Sequence, residues 1–180
     1  YVSILTHNTT NKVVSLYGVE QLQFDDVSIS LTTTGSGEFL VQQHGGAPAI
    51  TALTGGGFVI TSHSRALDGS HEGVSAQIYD ANGGKVGAEF QVNTYTASSQ
   101  QDSSITSLND GGFVISWMSN NQDGDSWGIY AQRYDASGDA VGDEFQVNTY
   151  TASSQREPSI AALNDGGFVI TWQAYAQRYD

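Results

Sequence analysis

Residues 113–117, "FVISW", put Phe113, Ile115 and Trp117 on one side of an extended chain and Val114 and Ser116 on the other. That two-residue period marks a β-strand. Residues 128–135, "GIYAQRYD", alternate in the same way, with Tyr130, Gln132 and Tyr134 opposite Ile129, Ala131 and Arg133. Ahead of them stands the short apolar run "SITSL" (104–108), and "NDGG" (109–112) reads as the hairpin turn, with glycine available for positive φ. Downstream, "ASGDAVG" turns the chain into "EFQVNTY" (144–150). There Phe145 and Val147 are expected to face inward, and Glu144, Gln146 and Asn148 outward. No stretch of useful length has helical period, so the expected fold class is all-β.

The pattern recurs. "EFQVNTYTASSQ" stands at residues 89–100 and again at 144–155. Phe58, Phe113 and Phe168 of the "GGF" phrase are 55 residues apart, and Tyr79/Tyr134 and Phe90/Phe145 keep that offset. Residues 87–118 and 142–173 agree at 24 of 32 positions. Self-similarity at a fixed period signals an array of supersecondary units. The units run from 37 to 86 (diverged), 87 to 141, and 142 to 180. Residues 1–36 lack the repeat but carry alternating segments, "KVVSLYG" and "VSISL", and read as an N-terminal β cap or the end of a preceding module.

Four strands in about 50 residues is the size of a propeller blade. The expectation is a tandem of four-stranded antiparallel, blade-like units forming an open or partial propeller, with a β-sandwich as the alternative. Three units do not close a ring, so neighbouring repeats or subunits are expected at exposed strand edges. In the last unit Trp172 and Tyr175 are three positions apart, where Trp117 and Tyr130 are 13 apart. Either this unit lacks the acidic loop or the sequence omits it; register resumes in "AYAQRYD", which favours the second.

Charge narrows the partners. The net charge is −13, with only six Lys and Arg. Such a chain repels phosphate backbones, which argues against nucleic acid; a solvated acidic surface accounts for most of the charge. There is no cysteine, hence no disulfide, thiolate site or cysteine nucleophile. No apolar run approaches the ~20 residues of a membrane helix, so no membrane insertion is expected. The opening "YVSIL" shows neither an initiator Met nor a signal peptide. The expectation is a segment of a longer protein, or export by a C-terminal signal.

"GVEQLQFDD" (18–26) is similar to a VE-x-L-x-F-x-D phrase found beside calcium-binding arrays in large secreted bacterial proteins. The unit "SIAALNDGGFVITW … IYAQRYDASGDAVGDEFQVNTYT" resembles tandem repeats of the same kind of protein, the RTX-type (hemolysin-type calcium-binding) proteins and giant adhesins. The resemblance covers nearly the whole chain. It implies an extracellular, bacterial, type I-secreted context and a structural or adhesive role. The glycine-rich G-G-x-G-x-D nonapeptide is absent, so that family's calcium roll does not carry over.

One segment carries candidate chemistry. "NNQDGDSWG" (120–128) gathers Asn121, Asp123 and Asp125 around a glycine. Alternating carboxylate and amide oxygens on a turn suit Ca²⁺, which takes six to eight oxygen ligands. The diverged unit reads "ALDGSHEG" (66–73), with Asp68 opposite Asp123. The bland alternative is a solvated turn whose Asp and Asn favour the required backbone angles. Trp127 is the exposed-aromatic candidate for stacking on a sugar. Asp110 and Asp165 read as turn formers, and Tyr79, Tyr134 and Tyr179 as packing residues. His7, His44, His63 and His71 all precede the second repeat, and no H-E-x-x-H, G-x-S-x-G or P-loop is present. No catalytic residue is assigned. The leading expectation is a structural or adhesive repeat module; a lectin-like propeller binding a surface glycan is the alternative, and an accessory region of a secreted hydrolase is a third.

Overall fold

The computed structural model describes residues 21–24, 27–30, 46–65 and 71–180. The chain divides into two compact units, residues 1–39 and 40–180. In the first, β1 (Gln21–Phe24) and β2 (Val27–Ser30) pair antiparallel. These strands fall within "GVEQLQFDD" and "VSISL", while "KVVSLYG" lies outside the described residues.

Among the described residues of the second unit every element is a strand, arranged in three antiparallel sheets in chain order. The first contains β3 (Gly46–Ala52), β4 (Phe58–Ser64), β5 (Gly73–Tyr79) and β6 (Lys85–Gln91). The second contains β7 (Gln100–Ser107), β8 (Phe113–Asn120), β9 (Trp127–Tyr134) and β10 (Ala140–Gln146). The third has β11 (Ser159–Ala162), β12 (Phe168–Trp172) and β13 (Tyr175–Tyr179), with no fourth strand among the described residues. The sheets are phased from "SITSL" to "EFQ". The sequence-repeat joints at 86/87 and 141/142 therefore fall inside β6 and β10.

The "GGF" phrase has a steric cause. A Cβ at Gly112 would overlap the carbonyl oxygen of Tyr134 on the neighbouring strand, and Gly57 and Gly167 meet the carbonyls of Tyr79 and Tyr179 in the same way. The preceding glycine takes positive φ, +93° at Gly111 and +98° at Gly166. Once the turn has closed, the phenylalanine stacks on the tyrosine opposite it. Ring centroids are 5.0 Å apart for Phe58–Tyr79, 5.2 Å for Phe113–Tyr134 and 5.0 Å for Phe168–Tyr179.

The sheets stack face to face. Phe113, Ile115, Trp117, Tyr130 and Tyr134 of the second sheet pack on Val59, Val74, Ala76 and Ile78 of the first. The opposite face of the second sheet, with Val114, Met118, Ile129 and Ala131, packs on Ile160, Phe168, Ile170 and Trp172 of the third. The middle sheet is thus covered on both faces, as in a row of blades; a two-layer sandwich covers one face of each sheet. Phe113 and Phe168 are buried as expected, and so are Ile60, Ile115 and Ile170. Phe58 is only half-buried, because it lies on the face of the first sheet turned away from the second.

First strands approach one another across the stack. The amide of Ser107 donates to Thr51 Oγ1 (3.1 Å), and that of Ile160 to Ser104 Oγ (3.2 Å). The fourth strands, β6 and β10, are exposed over most of their length. Each contains a bulge, and bulges blunt a sheet edge against uncontrolled pairing. In the third sheet Trp172 pairs directly with Tyr175, so a two-residue turn closes the hairpin. The strands flanking this turn, β12 and β13, are five residues each, against eight for β8 and β9.

Candidate functional site

Residues 121–126 form the loop between β8 and β9. Its base is a backbone bond from the Asn121 amide to the Ser126 carbonyl (2.5 Å). Asn121 itself sits at φ 60°, a conformation that asparagine tolerates better than most residues. Asp123 Oδ1 accepts from the Asp125 amide (3.3 Å), and Oδ2 from the Asn148 side-chain amide (3.4 Å). Asp125 Oδ2 accepts from the Ser153 amide (2.9 Å). The Ser126 and Ser154 hydroxyls lie 2.6 Å apart, and the Gln155 amide donates to the Trp127 carbonyl (2.6 Å). The loop is therefore stitched to the connector leading to the third sheet. Of the predicted cation ligands, Asn121, Asp123 and Asp125 share this loop, whereas Asp68 lies outside the described residues. Asp123 and Asp125 already hold amide donors, and no group of three His, Cys, Asp or Glu side chains placed to hold a metal ion occurs among the described residues.

Trp127 is half-buried against the second core, and the Arg156 guanidinium lies 5.8 Å from its ring centroid. One indole face thus carries a cation. Deeper in, Tyr130 is buried; desolvation, then the Asp123 and Glu144 carboxylates, push its phenol up to about 12. Glu144, expected to face outward, is half-buried and joins the first connector to the acidic loop. It accepts from the Thr94 amide (2.7 Å) and hydroxyl (3.0 Å) with one oxygen and from Gln122 Nε2 (2.6 Å) with the other.

Strand alternation also places Asn148 outward, and the structure corrects this. Asn148 and its repeat equivalent Asn93 are each 3% exposed. Asn93 Oδ1 accepts from the Val74 amide (2.8 Å), and its Nδ2 donates to the Tyr95 carbonyl and to Gln100 Oε1. Asn148 does the same with the Ile129 amide (2.7 Å), the Tyr150 carbonyl and Gln155 Oε1. The chain has left the ladder at this point, so side-chain amides supply the bonds that a strand neighbour would have made. Gln77 and Gln132 form a second repeated device, each donating to three main-chain carbonyls at the fourth-strand bulge, those of Ile78, Val86 and Gly87 and of Arg133, Val141 and Gly142. Verbatim repetition of polar residues is the only sequence signal for these devices.

Asp110 and Asp165 are turn caps, accepting from the Gly112 and Gly167 amides, and each also pairs with an arginine, Arg133 and Arg178 respectively. The backbone bond from Gly112, then Arg133, hold the Asp110 carboxyl below its ordinary range. Chemically, the site is a set of carboxylate and amide acceptors that take bonds from backbone and side-chain donors, with an indole at the rim.

No protein-family model and no curated protein matches the sequence. Similar solved structures exist. An endo-arabinase from Bacteroides thetaiotaomicron VPI-5482 aligns at TM-score 0.51 and 19% identity, over 81% of this chain and 56% of that one. A protein of unknown function from Bacteroides caccae aligns at TM-score 0.50 and 10% identity, over 76% of this chain and 42% of that one. This chain therefore spans less than two thirds of either. At such identities the likeness is one of fold.

Proposed function

We propose that this chain is a structural repeat module of a large extracellular bacterial protein, an RTX-type protein or adhesin exported by a type I route, and that it works by assembly with its neighbours and not by catalysis. The observation that carries this reading is the internal use of the repeated polar residues. Asn93, Asn148, Gln100, Gln155, Gln77 and Gln132 all direct their hydrogen bonds to this chain's own backbone and side chains, so what is repeated most faithfully is architecture. A spacer needs units that stack reproducibly and present polar, acidic outer surfaces. Calcium enters as a ligand of loop 121–126, where Asp123 and Asp125 would have to exchange amide donors for the cation.

The second reading, a glycan-binding role, is favoured by one observation, the half-exposed Trp127 beside the acidic loop. A glycan array with the wild-type chain and Trp127→Ala separates the two. The structural reading expects no reproducible binding by either protein. Sugar binding that disappears in Trp127→Ala overturns it.

A further inference from the structure

Glu144 holds two side chains that come from distant parts of the chain. One carboxylate oxygen, Oε2, accepts from the Thr94 amide (2.7 Å) and from the Thr94 hydroxyl (3.0 Å). The other, Oε1, accepts from Gln122 Nε2 (2.6 Å). An ionised carboxylate can hold a primary amide only by its nitrogen, and Gln122 Oε1 is left buried with no hydrogen-bond partner among the described residues. One base thus carries a hydroxyl nucleophile on one oxygen and the nitrogen of a carboxamide on the other, both within the reach that proton transfer needs.

The fold fixes this trio. Thr94 lies on the connector from the first sheet to the second, Gln122 on the loop between β8 and β9, and Glu144 in β10. The connector is tied to the end of β8 by the Asn120 amide, which donates to the Ser99 carbonyl (2.9 Å), and by the Ser98 hydroxyl, which donates to Asn120 Oδ1 (2.9 Å). Thr94 is exposed, and Gln122 and Glu144 are half-buried. The trio belongs to the second unit alone. Leu67 stands at the position of Gln122 in the first unit. In the third a two-residue turn replaces the loop, so Thr149, the repeat equivalent of Thr94, has no counterpart of Gln122.

We infer that Thr94 and Gln122 close an ester cross-link between the first connector and the acidic loop, with Glu144 as the base. The carboxylate takes the hydroxyl proton, Thr94 Oγ1 bonds to Gln122 Cδ, and the Cδ–Nε2 bond breaks. The leaving nitrogen takes that proton from Glu144 and departs as ammonia. No electrons are gained or lost, and no co-reactant is consumed. Charge develops on Oε1 in the tetrahedral intermediate. Tyr130, buried in the field of the Asp123 and Glu144 carboxylates, supplies a hydroxyl that makes no hydrogen bond among the described residues and is the candidate donor to it. Holding both reactants on one carboxylate makes the step unimolecular. An ester oxygen is also a weaker acceptor than an amide oxygen, so the cross-link lowers the cost of the unpaired Oε1. The bond braces the joint between the first and second sheets. Such bracing suits a structural module, but the chemistry rests on these side chains alone.

The intact mass of the full chain reads the step, because the cross-link removes one ammonia. Expected are a wild-type mass lower by one ammonia, a denatured chymotryptic digest in which the pieces carrying Thr94 and Gln122 stay joined, and their separation by hydroxylamine. Thr94→Val, Gln122→Ala and Glu144→Gln, each checked for a cooperative melt, are expected to keep the full mass. Thr94→Ser, which retains the nucleophile, and Thr149→Ala are expected to lose the ammonia as the wild type does. A wild type that keeps its full mass after prolonged incubation overturns the cross-link. So does an ammonia loss that survives in Thr94→Val, since it then arises elsewhere in the chain. A loss that survives in Glu144→Gln overturns the base. Each of these results leaves the module reading, which the glycan array tests, as it stands.

Discussion

Tyr134 donates its phenolic hydroxyl to the carbonyl of Val92, 3.2 Å away across the joint between the first and second sheets. The same ring stacks on Phe113 and meets Phe90 of the preceding sheet at 5.4 Å. One side chain thus ties turn, strand and inter-sheet joint together. Tyr134→Phe keeps the ring contacts and removes the bond, leaving the Val92 carbonyl without this buried donor. The expected loss is about 1 kcal/mol, measured by urea unfolding. Tyr134→Ala also empties the aromatic contact and is expected to cost about 3–5 kcal/mol.

Alkaline pH loosens the stack. Burial raises the Tyr134 phenol, and burial followed by carboxylates raises Tyr130 to about 12, against an ordinary value of 10.0. The folded state therefore binds these protons more tightly than the unfolded state. Their stabilisation is full below pH 10 and is lost as pH rises from 10 through the folded values. Melting temperature is expected to fall steeply above pH 10, with a shallower slope in Tyr130→Phe. Equal slopes would remove Tyr130 from the account.

The side-chain clasp predicts a repeat-independent cost. Asn148→Ala strips acceptor and donor from the Ile129 amide, the Tyr150 carbonyl and Gln155 at once, the first and last of these bonds being buried. A loss of about 1–3 kcal/mol is expected, and Asn93→Ala should come close to it, since it shares these three kinds of partner and lacks only the contact that Asn148 makes with Asp123. Denaturant midpoints of the two variants provide the check. A near-neutral Asn148→Ala would mean that water replaces the amide there.

Glycines in the diverged turn separate steric need from turn preference. A Cβ added at Gly55 would meet nothing within 4 Å, and its φ is not positive, whereas Gly57 faces the Tyr79 carbonyl. Gly55→Ala should stay within about 0.5 kcal/mol of wild type. Gly57→Ala, like Gly112→Ala, must shift backbone, at a cost of about 1–3 kcal/mol or more. Thermal melts of the three variants suffice.

Calcium is tested by melting. A chain whose loop 121–126 binds calcium gains about 1.4 kcal/mol at ten times Kd, so wild type in millimolar Ca²⁺ should melt above wild type in EGTA, and Asp123→Asn/Asp125→Asn should lose the difference. If both proteins ignore calcium while the double variant melts lower, the carboxylates act as anchors for the Asn148 side chain and the Ser153 amide alone.

The strands, their order and the period were legible in the sequence. Alternation is a local property of the backbone, and a tandem repeat displays its own boundaries of similarity. Turn roles for Asp110 and Asp165 and packing roles for Tyr79, Tyr134 and Tyr179 were legible for the same reason. Alternation failed at Asn148, because it assigns inside and outside only while the chain remains in a ladder. Where the fourth strand peels away to the next sheet, a buried amide becomes the nearest partner for the exposed backbone, and only the arrival of the Gln155 connector shows this. Tertiary structure likewise decided that Val114, Met118 and Ala131 are buried as deeply as Phe113 and Ile115. A strand's pattern reports two faces, but the number of sheets stacked against those faces depends on which units become neighbours in space.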